Sequence, residues 1–158
     1  MFDHILVPVD FAPKNHGALA TARRLVGAGQ ITLLHVIERI DGDLRDEAET
    51  DDPEAGNHQR APAGVDVDED LDRFYERLEE RARERMEAMA AELGGCRVAT
   101  RIVYGQRART IVETAGELGC DLIVMSSHRV QSKRPAADWI SISHKVAILA
   151  SCPILLVK

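Results

Sequence analysis

The chain has 158 residues, of which 45% are apolar, and a formal net charge of −6. That length suits one domain, spanning 1–158, with a sizeable core, and the acidic balance argues against a general nucleic-acid binder. No apolar run approaches the length of a membrane span, and the N-terminus MFDHILVPVD lacks a basic region followed by an apolar one, so a cytoplasmic protein with no membrane contact is expected.

His4–Val9, HILVPV, reads as a first strand buried on both faces, with Asp10 at its carboxyl end. Pro13 opens a helix at its first turn, where a missing N–H costs nothing. Leu19, Ala22, Leu25 and Val26 form the core side of that helix, and Gly27 and Gly29 close it. Ile31–Ile37, ITLLHVI, is a second buried strand. Glu38–Asp66 is rich in Asp, Glu, Gly and Pro and poor in large apolar residues, so a flexible acidic excursion is expected there. A solvated loop and a segment for docking a partner or attracting cations are both open readings of it.

Val67–Leu93 is predicted to be a long helix, with Val67, Leu71, Phe74, Leu78, Ala82, Met86, Met89 and Leu93 on one stripe. Glu69/Arg73 and Glu79/Arg83 are i,i+4 pairs on its surface. Arg97–Tyr104, RVATRIVY, alternates apolar and polar residues as an edge strand does. Arg109–Leu118 is a short helix closed by Gly119. Leu122–Met125 is a fourth, wholly apolar strand, and the polar loop Ser126–Ala137 follows. Asp138 is the expected N-cap of a last helix that carries Ile140, Ile142, Val146, Ile148 and Leu149 inward. Cys152-Pro153 ends it, and Ile154–Val157 is the final strand. Cys96, Cys120 and Cys152 lack C-x-x-C spacing and read as reduced, mostly buried thiols.

Strands alternating with helices, joined by right-handed crossovers, imply an α/β fold: a doubly wound five-stranded parallel sheet, order 3-2-1-4-5, with helices on both faces. Ligands in such sheets lie outside the carboxyl ends of the strands, at the switch between strands one and four. That places Asp10 and Ser126–Asp138 around one crevice. The position after the third strand is Tyr104-Gly105, which excludes a phospho-receiver, and DFAPKN after the first strand excludes a flavodoxin. No G-x-G-x-x-G or P-loop motif is present. Ser127-His128 and Ser143-His144 carry no hydrolase spacing, and His128 and His144 lack the companions a metal needs, so no catalytic or metal site is expected.

VPVD at Val7–Asp10, LLHVI at Leu33–Ile37, and DLIVMSSH with a terminal CPILLVK resemble the universal stress protein family over nearly the whole chain. That resemblance implies the sheet derived above, usually in homodimers, and a family divided into members that bind adenosine nucleotides and members that do not. Binding members resemble one another in G-x-x-G, nine residues, then G-S/T: glycines let backbone N–H groups approach phosphates at a helix start. Here Ser126, Arg129 and Ile140 stand at the three glycine positions, the last interval is one residue longer, and only Ser141 survives. Arg129, Lys133 and Arg134 form either a solvated basic loop or side-chain contacts to phosphate. By resemblance Pro8, Val9 and Asp10 line the adenine and ribose side, Val36 borders the base and Met125 lies under it. Ser126, Ser127, His128, Arg129, Ser141 and Ile142 complete the candidate crevice. Asp10 has a second, compatible reading as the cap of the helix near Pro13.

The resemblance therefore implies a non-enzymatic stress-response regulator or adaptor, with a degenerate phosphate loop and weak or no ATP binding. No cofactor is expected, although ATP or AMP is a possible ligand. An ATP/AMP-binding sensor with slow hydrolysis is one alternative. A subunit that docks on a transporter or enzyme, an unknown protein partner, is another. The apolar terminal strand, guarded only by Lys158, is the expected seam of a homodimer.

Overall fold

The computed structural model describes residues 1–39, 67–127 and 141–158. Most of the acidic excursion, together with His128, Arg129, Lys133, Arg134, Asp138, Ile140 and the side chain of Glu69, lies outside the described residues. The elements are β1 (His4–Pro8), α1 (Asn15–Leu25), β2 (Gln30–Ile37), α2 (Val67–Glu92), β3 (Arg97–Tyr104), α3 (Arg107–Glu117), β4 (Leu122–Ser126), α4 (Ile142–Leu149) and β5 (Ile154–Val157). The five strands form one sheet in the order β3-β2-β1-β4-β5. Every neighbouring pair is parallel, with Ile5 opposite both Ile31 and Leu122, and Ile123 opposite Ile154.

Alternation along the strands sends side chains into two cores. Ile5, Val7, Val9, Ile31, Leu33, Leu122 and Val124 meet Ala18, Leu19, Ala22 and Val26 of the α1 segment and Met86 and Leu93 of the α2 segment. On the other face Leu6, Leu34, Ile123 and Met125 meet Ala108, Ile111 and Ala115 of α3 and Val146 of α4. The edge expected of RVATRIVY is occupied by β3, whose Arg97, Thr100, Arg101 and Tyr104 stay exposed. Among the described residues no helix is long and apolar enough to cross a membrane.

Close contacts fix the starts of the central strands. The Asp121 carboxylate accepts from the backbone N–H groups of Asp3 (2.8 Å) and His4 (3.0 Å), tying β1 to β4. The chain enters β2 past Gly29, where a Cβ would lie 2.2 Å from the Asp3 carbonyl oxygen, so only glycine fits.

Four local expectations change. Pro13 precedes α1 instead of opening it, and Asn15 N–H bonds back to Ala12 O at 3.0 Å in the turn before the helix. On α2, Tyr75 is buried at 2% exposure and Phe74 is 43% exposed, the reverse of the predicted stripe. The reason is a stack at the sheet edge: Tyr75 meets Tyr104 edge-on at 6.3 Å, and the Arg39 guanidinium lies over both rings at 5.1 and 5.0 Å. The Glu79–Arg83 pair forms as expected, at 2.8 Å. The last helix starts later than predicted, with Ser141 as N-cap accepting from His144 N–H at 3.3 Å. Eight residues of helix turn only a narrow side inward, so Val146 is buried while Ile148 and Leu149 are exposed.

Met86 is fully buried between α2 and the sheet. Met86→Ala should cost about 2–5 kcal/mol, because the cavity it leaves is walled by strands that cannot collapse. Thermal unfolding should fall by about 5–15 °C, and a loss under about 1 kcal/mol would contradict the burial.

Candidate functional site

The carboxyl ends of β1, β2 and β4 meet where the strand order reverses. Of the predicted residues, Pro8, Val9 and Asp10 sit at the end of β1, Val36 near the end of β2, and Met125, Ser126 and Ser127 at the end of β4. Val36 and Met125 share the α3/α4 core, whereas Val9 belongs to the α1/α2 core. Ser141 and Ile142 begin α4, which lies between the parallel strands β4 and β5 in the chain and so runs back from the end of the sheet where β4 finishes. His128 and Arg129 lie outside the described residues.

Asp10 does not cap α1. Its Oδ1 accepts from the Ala12 N–H at 3.1 Å, closing a turn two residues on, and from Asn15 Nδ2 at 2.9 Å. Its Oδ2 pairs with Lys14 Nζ at 2.8 Å. Partial burial pushes the Asp10 carboxyl up, but the bonds from Lys14, Ala12 and Asn15 and the Lys14 charge outweigh burial and hold it below the usual carboxylate range. Asn15, only 3% exposed, carries the tie onward. The Ser126 hydroxyl lies 3.2 Å from Asn15 Oδ1 and 3.1 Å from the Lys14 carbonyl oxygen and donates into that gap. The end of β4 is thus fastened to the start of α1 through Asp10, Asn15 and Ser126. Ser127 N–H donates to Val157 O at 2.8 Å, so its backbone is committed to β5. Ser141 Oγ lies 2.9 Å from the hydroxyl of Ser143.

Phe11 completes the wall with a left-handed backbone, φ 59°, which costs a non-glycine residue about 1–3 kcal/mol. Its ring stacks on His35 at 4.4 Å, and the Arg85 guanidinium lies over the ring at 5.4 Å. His35 Nδ1 donates to the Val9 carbonyl at 2.8 Å. Sequence reasoning singled out none of Phe11, Asn15 and His35. Only His35 left a signal, as an imidazole within a largely apolar strand.

Burial depresses the His35 pKa, the Arg107 charge adds to that, and the Val9 bond and Asp10 charge oppose it. A lowered folded value means the unfolded chain takes the proton first. Stability should be level above the ordinary histidine value of about 6.5 and fall as pH drops from there toward the folded value. His35→Gln should flatten that stretch of the melting-temperature profile relative to the parent, and an unchanged slope would remove His35 as the cause.

The universal stress protein family model matches residues 1–158. A universal stress protein from Methanocaldococcus jannaschii is 30% identical over 164 residues, covering 100% of this chain and 96% of that one. A solved structure of a hypothetical protein that carries the same designation, MJ0577, superposes with a TM-score of 0.73 at 26% identity, covering 100% of this chain and 96% of that one. A universal stress protein from Lactobacillus plantarum shares the fold, with a TM-score of 0.67 at 22% identity and coverage of 99% and 97%. So does one from Archaeoglobus fulgidus in complex with dAMP, with a TM-score of 0.57 at 18% identity and coverage of 99% and 98%. The match along the whole chain and the order of the sheet agree: this chain belongs to the universal stress protein family.

Proposed function

We propose that this protein is a stress-response regulator or adaptor that carries out no reaction of its own and binds ATP weakly or not at all. The observation that carries this reading is the internal pairing of the crevice. The Asp10 carboxylate, which would accept from ribose hydroxyls, is taken up by Lys14, Asn15 and the Ala12 N–H. Ser126, at the first glycine position of the phosphate motif, spends its hydroxyl on Lys14 and Asn15. A nucleotide would compete with these bonds for the same groups, and the net gain of each exchange is small. The remaining motif positions, Arg129 and Ile140, lack the glycine that close backbone approach requires.

One observation favours a second reading, an ATP- or AMP-binding sensor. Asp10 is exposed and held ionised, and a structural relative is a complex with dAMP. Acid denaturation of the purified protein separates the two. The adaptor reading predicts no adenine nucleotide in the supernatant, and stoichiometric release would establish the sensor.

The adaptor works as a homodimer in this reading. Leu155 and Leu156 on the open edge of β5 are 37% and 39% exposed, and Ile148 and Leu149 stand exposed on the helix that leads into it. An open apolar edge of this kind is normally covered, and two copies paired antiparallel across a two-fold axis cover it directly.

A further inference from the structure

The open edge of β3 is a surface that the crevice does not use. β3 ends the sheet, with β2 on one side and no strand among the described residues on the other. Gly105 N–H bonds to Ile37 O at 3.1 Å, so the odd-numbered residues of β3 turn their backbone groups toward β2. Val98, Thr100, Ile102 and Tyr104 then turn their N–H and C=O groups outward, where one more strand can pair with them. Their side chains lie on the α2 side of the sheet: Val98 and Ile102 pack on the core that holds Met86, and Tyr104 meets Tyr75.

A groove of about 290 Å³ runs beside that edge, between Arg83, Met86 and Glu87 of α2 and Thr100 and Ile102 of β3. The side of α2 that overhangs it carries Asp72, Glu76, Glu79, Arg83 and Glu87, spaced four, three, four and four residues apart and so on one stripe. Four carboxylates stand there against one arginine. Two of them are already met: Arg39 lies 3.7 Å from Asp72, and Arg83 lies 2.8 Å from Glu79. Glu76 and Glu87 are exposed and have no ion-pair partner among the described residues. Arg101 also lines the groove, but its guanidinium pairs with Glu117 of α3 at 3.6 Å, on the opposite face. The chain itself shows what the stripe accepts, since Arg39 seats its guanidinium over Tyr75 and Tyr104 beside Asp72.

We propose that the open edge of β3 takes up an extended basic segment of a partner protein as a further strand of the sheet. The backbone of that segment pairs with Thr100 and Ile102, and its Lys or Arg side chains on the α2 side meet Glu76 and Glu87. Those carboxylates are about 16 Å apart along the helix, the span of roughly five residues of strand. A second copy of this chain fits worse, because antiparallel pairing of two β3 edges brings two acidic stripes together across the two-fold axis. The chain's own stretch 40–66, with nine Asp or Glu against two Arg, has the wrong sign as well. This edge would serve the adaptor reading as its docking surface, and it lies two strands from the β1/β4 switch, so peptide binding and nucleotide binding are tested separately.

The test measures fluorescence anisotropy of labelled peptides on the folded, full-length protein. The probe alternates lysine and threonine over eight residues, the length of β3. Two further forms are N-methylated on alternate amides, one form for each set, and a fourth peptide replaces lysine by glutamate. The lysine peptide should bind saturably and weaken as salt rises, and the glutamate peptide should not bind. One methylated form should bind roughly tenfold more weakly and the other like the parent peptide, since only one set of amides faces β3. Glu76→Gln combined with Glu87→Gln should weaken the lysine peptide several-fold. Thr100→Pro should weaken it too and leave the sedimentation of the protein unchanged, since proline at an open edge is tolerated within a sheet. If Thr100→Pro fails to fold, the methylated peptides still decide. Absence of saturable binding, equal binding of the lysine and glutamate peptides, methylated forms that do not differ, or binding that ignores Glu76 and Glu87 would overturn the proposal. So would a parent dimer that Thr100→Pro turns into a monomer, which would put a second copy on this edge.

Discussion

Leu155→Pro should unfold the protein, and Leu156→Pro should leave it folded but monomeric. Adjacent residues of a parallel strand send their N–H and C=O groups to opposite neighbours. Pro153 O accepts from Ile123 N–H and Val157 O accepts from Ser127 N–H, so the odd-numbered residues of β5 face β4. Leu155 shares that parity. Proline there removes a donor from the ladder to β4 and sets a ring against it, a loss of about 3 kcal/mol or more. Leu156 has the opposite parity, and its N–H points to the open edge, where proline is tolerated within a sheet. In the proposed homodimer that same N–H crosses the seam, and each such bond contributes about 0.5–1.5 kcal/mol net. Sedimentation equilibrium on both variants distinguishes the cases. A dimer that survives Leu156→Pro would show that the subunits meet elsewhere, and a parent that sediments as a monomer at tens of micromolar would remove the dimer altogether.

The second large effect concerns nucleotide affinity. A phosphate cradle built of glycine N–H groups makes several hydrogen bonds to charged oxygens, each of about 1.5–3 kcal/mol. In the proposed function Arg129 and Ile140 stand at two of the three glycine positions of the family's phosphate motif, and neither residue type allows the close backbone approach that glycine does. Loss of two or three such bonds weakens binding by several orders of magnitude. The ties among Asp10, Asn15, Lys14 and Ser126 add to this, since ribose or phosphate would compete with them for the same groups. Restoring glycine at Ser126 alone should not create a tight site, because it repairs one position of three.

The sheet and its order were legible because burial on both faces leaves a plain mark. HILVPV, ITLLHVI and LIVM are apolar runs that only inner strands require, and RVATRIVY alternates because it stands at an edge. The crevice was placed by topology, since the ends of β1 and β4 must face each other at the switch point. Its internal wiring was not legible. The path Asp10–Asn15–Ser126 joins residues over a hundred positions apart, and no spacing rule predicts such a bond. The positive φ of Phe11 is likewise not its own preference, and it accompanies a tertiary stack with His35 and Arg85. On α2, Phe74 and Tyr75 are both compatible with an apolar stripe. The Arg39–Tyr104 stack decides between them, and it is a tertiary feature. The start of α4 was misplaced because Asp138 and Ser141 are both good caps, and only the geometry of the first turn tells which one serves.

The central claim of the proposed function is that Asp10 and Ser126 are engaged by the protein's own polar groups, so that nucleotide binds weakly or not at all. Titration calorimetry with Mg-ATP on the reduced, full-length protein tests it most directly. The account predicts no saturable heat in the low-micromolar range. A clear one-site isotherm there, weakened by Asp10→Ala, would contradict it and make the protein a nucleotide sensor.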